Sequence, residues 1–131
     1  MKLAFVISAS VNGETNPTDL RDLGRVLADF GLSLVPFRSS YQGASESGFV
    51  ALGGLHDVAL MQEIACDFNQ IAFLAIAPET QKVYEVFANE PTPALPSPSA
   101  CIGKWCKIAK KEALEGDYTY FHGAGVYYTV K

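Results

Sequence analysis

Ser40-Tyr41-Gln42-Gly43-Ala44-Ser45-Glu46-Ser47-Gly48-Phe49 is a polar elbow between two apolar runs, Leu32 to Phe37 before it and Gly48 to Leu52 after it. Each run adjoins a helix-like segment on its far side. The order is therefore strand, helix, strand, elbow, strand, helix, strand. That is the split β-α-β order of a ferredoxin-like sheet. The fold class expected is α+β, with a ferredoxin-like core over residues 1–88, a Pro-rich connector over 89–99 and an accessory helix and hairpin over 100–131.

Working outward, Lys2 to Ser8 is a short apolar run without alternation, as a strand covered on both faces requires. It imitates a signal peptide superficially, but one Lys and a short apolar stretch read better as a first strand. Asn16-Pro17-Thr18-Asp19 opens a helix, with Asn as cap, Pro at the first position and an acid against the positive end of the dipole. Leu20, Leu23, Leu27 and Phe30 follow at helical spacing, and Gly31 closes the helix. Pro36 in the second strand cannot donate to a ladder and points to an edge or a bulge.

Beyond the elbow, Gly53-Gly54 ends the third strand. Leu55, Val58, Met61, Ile64, Ala65 and Phe68 line a second helix that ends near Asn69. Ile71 to Ala77 is the fourth strand and Lys82 to Phe87 the fifth, with Val83, Glu85 and Phe87 facing opposite to Tyr84 and Val86. Pro91, Pro93, Pro96 and Pro98 stiffen the connector. Gly103 to Leu114 reads as a short basic helix carrying Lys104, Lys107, Lys110 and Lys111, with Trp105 and Ile108 available for docking. Tyr118 to Phe121 and Val126 to Val130 flank His122-Gly123-Ala124-Gly125 as a hairpin.

Composition narrows the function classes. A chain of 131 residues supports one core, and 49% apolar against 18% charged residues describes a folded domain. The net charge of −4 offers no basic field, so duplex DNA and anionic membranes are disfavoured partners and nucleic acid is not expected. Three cysteines, Cys66, Cys101 and Cys106, make no paired framework, and cytoplasm is the expected compartment. Neither their spacing nor His56 and His122 matches a structural zinc site, and no cofactor is expected.

Chemistry concentrates at the elbow. Tyr41 and Glu46 straddle the turn around Gly43 and can present a phenol and a carboxylate to one ligand. The plainer role for them is a long hairpin with a core-covering Tyr. Asn69 suits a helix cap, whereas Gln70 can reach a ligand. Gly53-Gly54 before a helix lacks the spacing of a phosphate loop. Lys104 to Lys111 with Trp105 reads first as a solvated helix face, and otherwise as a grip for an acidic partner protein or a single strand.

The set Tyr41-x-Gly43-x-x-Glu46-x-x-Phe49, followed by Phe68-Asn69-Gln70 and a hydrophobic strand, resembles a group of small bacterial and phage-encoded α/β proteins of undefined function. The resemblance covers about the first two-thirds of the chain and implies a polar patch from Tyr41, Glu46 and Gln70, without a reaction. In that group a serine commonly stands where Gly48 stands here.

Two functions are expected from different classes. One is a small cytoplasmic protein-interaction module, a phage-encoded modulator or inhibitor of a host protein, docking through Trp105, Tyr127 and their aromatic neighbours. Homodimerisation through the second or terminal strand is a separate expectation, because an open sheet has edges to cover. The other is a binder of a small polar or nucleotide-like ligand, or a weak hydrolase, with its cleft at Tyr41, Glu46 and Gln70. Binding is favoured over catalysis.

Overall fold

The structure is a computed structural model that describes residues 1–131. Its elements are β1 (Lys2–Ser8), the small ribbon of β2 (Ser10–Val11) and β3 (Glu14–Thr15), α1 (Pro17–Asp29), β4 (Ser33–Tyr41), β5 (Ala44–Gly54), α2 (Val58–Asp67), β6 (Ala72–Ala77), β7 (Lys82–Phe87), β8 (Cys101–Ile108), α3 (Lys110–Leu114), β9 (Tyr118–Phe121) and β10 (Val126–Val130). Eight of the strands close on themselves in the order β1-β5-β4-β9-β10-β8-β7-β6. Neighbouring strands around the ring pair antiparallel.

This closed barrel overturns the open ferredoxin-like α+β core expected from the sequence. β5 does lie between β1 and β4, and β1 between β5 and β6. Those strands nonetheless form only half of a ring, which β7 to β10 complete. Residues 101–130 are staves of the same barrel rather than an accessory unit. The stretch expected as a basic helix is the strand Cys101–Ile108, which places Trp105 inside and Lys104 outside, and only Lys110–Leu114 is helical. Closure satisfies backbone donors and acceptors that a free sheet edge would leave to water or to another chain.

β1 explains the layering. Leu3, Phe5 and Ile7 point outward and pack with Leu23 and Leu27 of α1 and with Val58, Met61 and Ile64 of α2. Val6 points inward, where it meets Phe37, Val50, Ile76, Val83 and Trp105. One strand thus contributes to two apolar clusters, and its unbroken apolar run follows. Outside β7, the Pro-rich segment buries Leu95 against the outer cluster. Gln62 holds that segment: its amide donates to the Phe87 and Glu90 carbonyls, and Thr92 donates to its oxygen.

Local signals account for the helix boundaries. Asn16 Oδ1 accepts from the Thr18 amide at 2.8 Å and caps α1. Pro36 lies outside the stretch Arg38–Ser40 that pairs with β9, so the missing amide interrupts no ladder there. No helix is long and apolar enough to cross a membrane.

At Gly48 the backbone of β5 packs directly against that of β1. A Cβ there would lie 2.0 Å from the Ile7 carbonyl oxygen, so no side chain fits without moving backbone. A serine at this position would meet the same carbonyl oxygen. Gly48→Ala is expected to destabilise the protein by about 1–3 kcal/mol. Gly123→Ala, where nothing lies within 4 Å, should stay within about 0.5 kcal/mol of wild type. Urea denaturation of the two variants checks this, and equal costs would contradict the close approach.

Candidate functional site

The waist of the barrel is filled by Phe37, Val83 and Trp105, the last stacked on Tyr128 with centroids 5.3 Å apart. Toward the β4–β5 hairpin the interior widens into a cavity of about 330 Å³. Its wall combines Val6, Phe37, Leu74 and Val130 with the polar side chains of Ser8, Ser39, Tyr41, Glu46, Gln70, Glu85 and Thr119.

Strand register builds this wall. Ser39 is paired with Glu46 on one side and with Thr119 on the other, so the three inward side chains form a row across β5, β4 and β9. Tyr41 is two residues further along β4 and therefore shares the inward face. Its hydroxyl lies 3.5 Å from Thr119 Oγ1, a contact at the limit of a hydrogen bond. The turn at the tip is Gln42-Gly43 with φ of 51° and 82°, the geometry of a tight hairpin for which Gly is suited. The Gln42 amide donates to Asp117 Oδ1 at 2.8 Å, which ties the tip to the segment entering β9.

Gln70 arrives by a different route. At the end of α2 the Gln70 amide donates to the Ala65 carbonyl and the Asn69 amide to Cys66, while Asn69 adopts φ of 57°. This is a Schellman closure, and it sets Gln70 at the cavity. The side-chain amide of Gln70 donates to the Ser10 carbonyl at 2.9 Å and the Phe68 carbonyl at 3.3 Å. Ser8 is equally committed, since its hydroxyl accepts from the Ser10 amide at 2.9 Å and reaches the Ser47 carbonyl at 3.4 Å.

Ser39 is the exception. It is 2% exposed, and its hydroxyl has no hydrogen-bond partner. Its nearest candidate acceptor is the Glu46 carboxylate across the strand pair: the hydroxyl lies near enough to lower the Glu46 carboxyl as a hydrogen-bond donor would, but the pair falls outside ordinary hydrogen-bond geometry. Burial dominates and pushes the Glu46 carboxyl above its usual value. Burial likewise raises the Tyr41 phenol; Thr119 opposes that shift, and the charges of Asp117 and Glu46 reinforce it. Glu85 is the second carboxylate of the wall, and no Lys, Arg or His lines it.

Of the residues singled out in the sequence, Tyr41, Glu46 and Gln70 meet in this cavity. Gly43 is at the exposed hairpin tip, where it shapes the turn without lining the space. Trp105 is 8% exposed, and it faces the other end of the barrel, where it lines a separate space of about 240 Å³ with Tyr128 and Phe121. Tyr127 is on the outer wall, packed against Tyr120 at 4.5 Å and Tyr118 at 5.5 Å. At the Gly53-Gly54 step the Gly54 amide is already engaged, donating to Asp57 Oδ2 at 2.9 Å. No group of three or more His, Cys, Asp or Glu side chains could hold a metal ion.

Ser39, Glu85 and Thr119 carry no sequence signal beyond alternation. The face shared by Val83 and Glu85 is legible, but not the fact that it looks into the interior of a barrel. The chain matches no protein-family model, and no curated protein matches it.

A carboxyl whose folded pKa is raised binds its proton more tightly in the folded state. Its contribution therefore favours folding at low pH and is lost as pH rises through the raised value. Glu46→Gln removes this penalty. The variant is expected to melt at a higher temperature than wild type at pH 7, with the gap closing as pH falls toward the ordinary value of 4.5. Thermal melts of both proteins across this range check the sign, and a variant less stable than wild type at pH 7 would contradict it.

Proposed function

We propose that the protein binds a small polar molecule inside the barrel, in the cavity bounded by Tyr41, Glu46 and Gln70. The observation that carries this reading is the row Ser39, Glu46 and Thr119, which turns polar side chains from three adjacent strands toward one space beside an apolar wall. A concave apolar site with a few convergent polar groups is the usual form of a small-ligand pocket. The buried and unpaired Ser39 hydroxyl supports it further, since an unmade hydrogen bond costs about 1–3 kcal/mol. A ligand that supplies the partner recovers that cost. Binding is a better description than nucleophilic catalysis, because the hydroxyls of the wall have no histidine or cysteine beside them in the lining.

The test is thermal stabilisation of the intact protein by a panel of small amines, amides, alcohols, carboxylates and phosphates. A ligand at about a hundred times its Kd adds about 2.7 kcal/mol to stability. A melting-temperature rise of several degrees is expected for wild type, and it should be lost in Tyr41→Phe/Glu46→Gln. A panel that shifts neither protein would overturn the reading.

A second reading, protein docking, has its own observation. On the outward face of β9 and β10, Tyr118, Tyr120 and Tyr127 pack on one another. The Arg38 guanidinium lies 5.2 Å from the centre of the Tyr120 ring, and His122 approaches the same ring at 4.8 Å. Tyrosines of this kind bury large area while keeping a polar end. A purified partner that binds wild type and loses affinity for Tyr127→Ala, with the melting temperature unchanged, would favour this surface. Equal affinity for both would remove it.

A further inference from the structure

We infer that the molecule taken up by the barrel cavity is a small organic cation, an amine, amidine or guanidine on a compact apolar body, whose charged head pairs with Glu46. The inference rests on the binding reading above and specifies its ligand class.

Charge is the first argument. Glu46 and Glu85 both line the cavity, and no basic side chain does. A phosphate or carboxylate entering it would meet two carboxylates in a partly desolvated space, where like charges repel more strongly than in water. Nucleotides and organic acids are disfavoured on this ground.

The hydrogen-bond inventory points the same way. Carboxylates only accept. Both carbonyls reached by the Gln70 amide hydrogens belong to the protein's own backbone, which leaves the Gln70 oxygen as its uncommitted atom. The Ser8 hydroxyl is engaged with backbone on either side. Ser39 alone is buried and unpartnered, directly across the strand pair from Glu46. The wall therefore holds more open acceptors than donors, and a ligand that fits it must donate. A cationic donor does so with shorter and stronger bonds than a neutral one.

Burial adds a third argument. Desolvation raises the Glu46 carboxyl, and the groups facing it are the Tyr41 phenol and the Ser39 hydroxyl, with Glu85 elsewhere in the wall and Asp117 acting on Tyr41. None is a cation. A half-buried acid with no counter-charge of its own is completed by a ligand that brings one. The aromatic ring of Phe37, the inward neighbour of Ser39 on the side of β4 away from Tyr41, and the side chains of Val6 and Leu74 supply the surface for the apolar body. The volume of about 330 Å³ admits a ligand of roughly one aromatic ring and a head group.

Three probes of nearly equal shape separate the possibilities: benzamidine, benzamide and benzoate, titrated into the intact protein with calorimetry and amide NMR. Agmatine serves as an aliphatic cation. The expected result is that a cation binds about tenfold or more tighter than the neutral and anionic probes. Glu46→Gln should lower its affinity by about the same factor while remaining folded by its melt. Affinity should also fall as pH is lowered through the raised pKa of Glu46, because the protonated acid no longer pairs with the cation. Shifts should map to Ser39, Tyr41 and Thr119. Benzamide or benzoate binding at these residues more tightly than either cation would overturn the cation assignment and leave the binding cavity standing. Absence of shifts there with all four probes overturns the assignment, and silence with the wider panel as well overturns the cavity reading.

Discussion

Pairing of β4 with β9 is the constraint on which the rest depends. Without it, Arg38, Ser39 and Ser40 would line a free sheet edge, and the inward face of β4 would look into solvent. With it, the sheet that begins at β1 returns to β1 through β6, and alternate side chains of every strand acquire an inside. A closed ring has no edge to protect from other chains. The same event creates the cavity, since Thr119 completes the row begun by Glu46 and Ser39.

The interior is divided by its own packing. Phe37, Val83 and Trp105 occupy the waist, so the barrel is not a continuous channel. On the hairpin side the wall turns polar, and it does so at a cost. Ser39 is buried without a partner, and Glu46 is partly desolvated without a cation. Functional sites commonly hold such locally unfavourable groups, which the surrounding fold supports. Here the support is the outer apolar layer, where Leu3, Phe5 and Ile7 meet both long helices. The residues that stabilise the ring and those that line the cavity lie on opposite faces of the same strands.

Much of the first half of the chain was legible as local structure. Asn16-Pro17 and Gly31 bound α1 as their capping chemistry requires, and the elbow at Gln42-Gly43 is a hairpin. Tyr41, Glu46 and Gln70 were identified as polar residues able to share a ligand, and they share a cavity. Closure was not legible. It rests on pairings between residues about 80 positions apart, such as Ser39 with Thr119, and no local pattern encodes them. The stretch Cys101–Ile108 misled for a physical reason: its lysines and Trp105 fit a helical face, whereas alternation places Trp105 inside and Lys104 outside the barrel. Trp105 was consequently expected at a docking surface and is part of the waist instead. Glu85 and Thr119 were missed because a polar residue on an inward face has meaning only once the inside exists.

The most direct measurement is a backbone NMR experiment on the intact protein, with nuclear Overhauser contacts and amide exchange recorded for β4 and β9. The barrel predicts cross-strand contacts linking Arg38 to Tyr120, Ser39 to Thr119 and Ser40 to Tyr118, with slowed amide exchange along this pairing. An open edge, with rapid exchange at Arg38 to Ser40 and no contact to residues 118–120, would contradict closure and with it the cavity built on it.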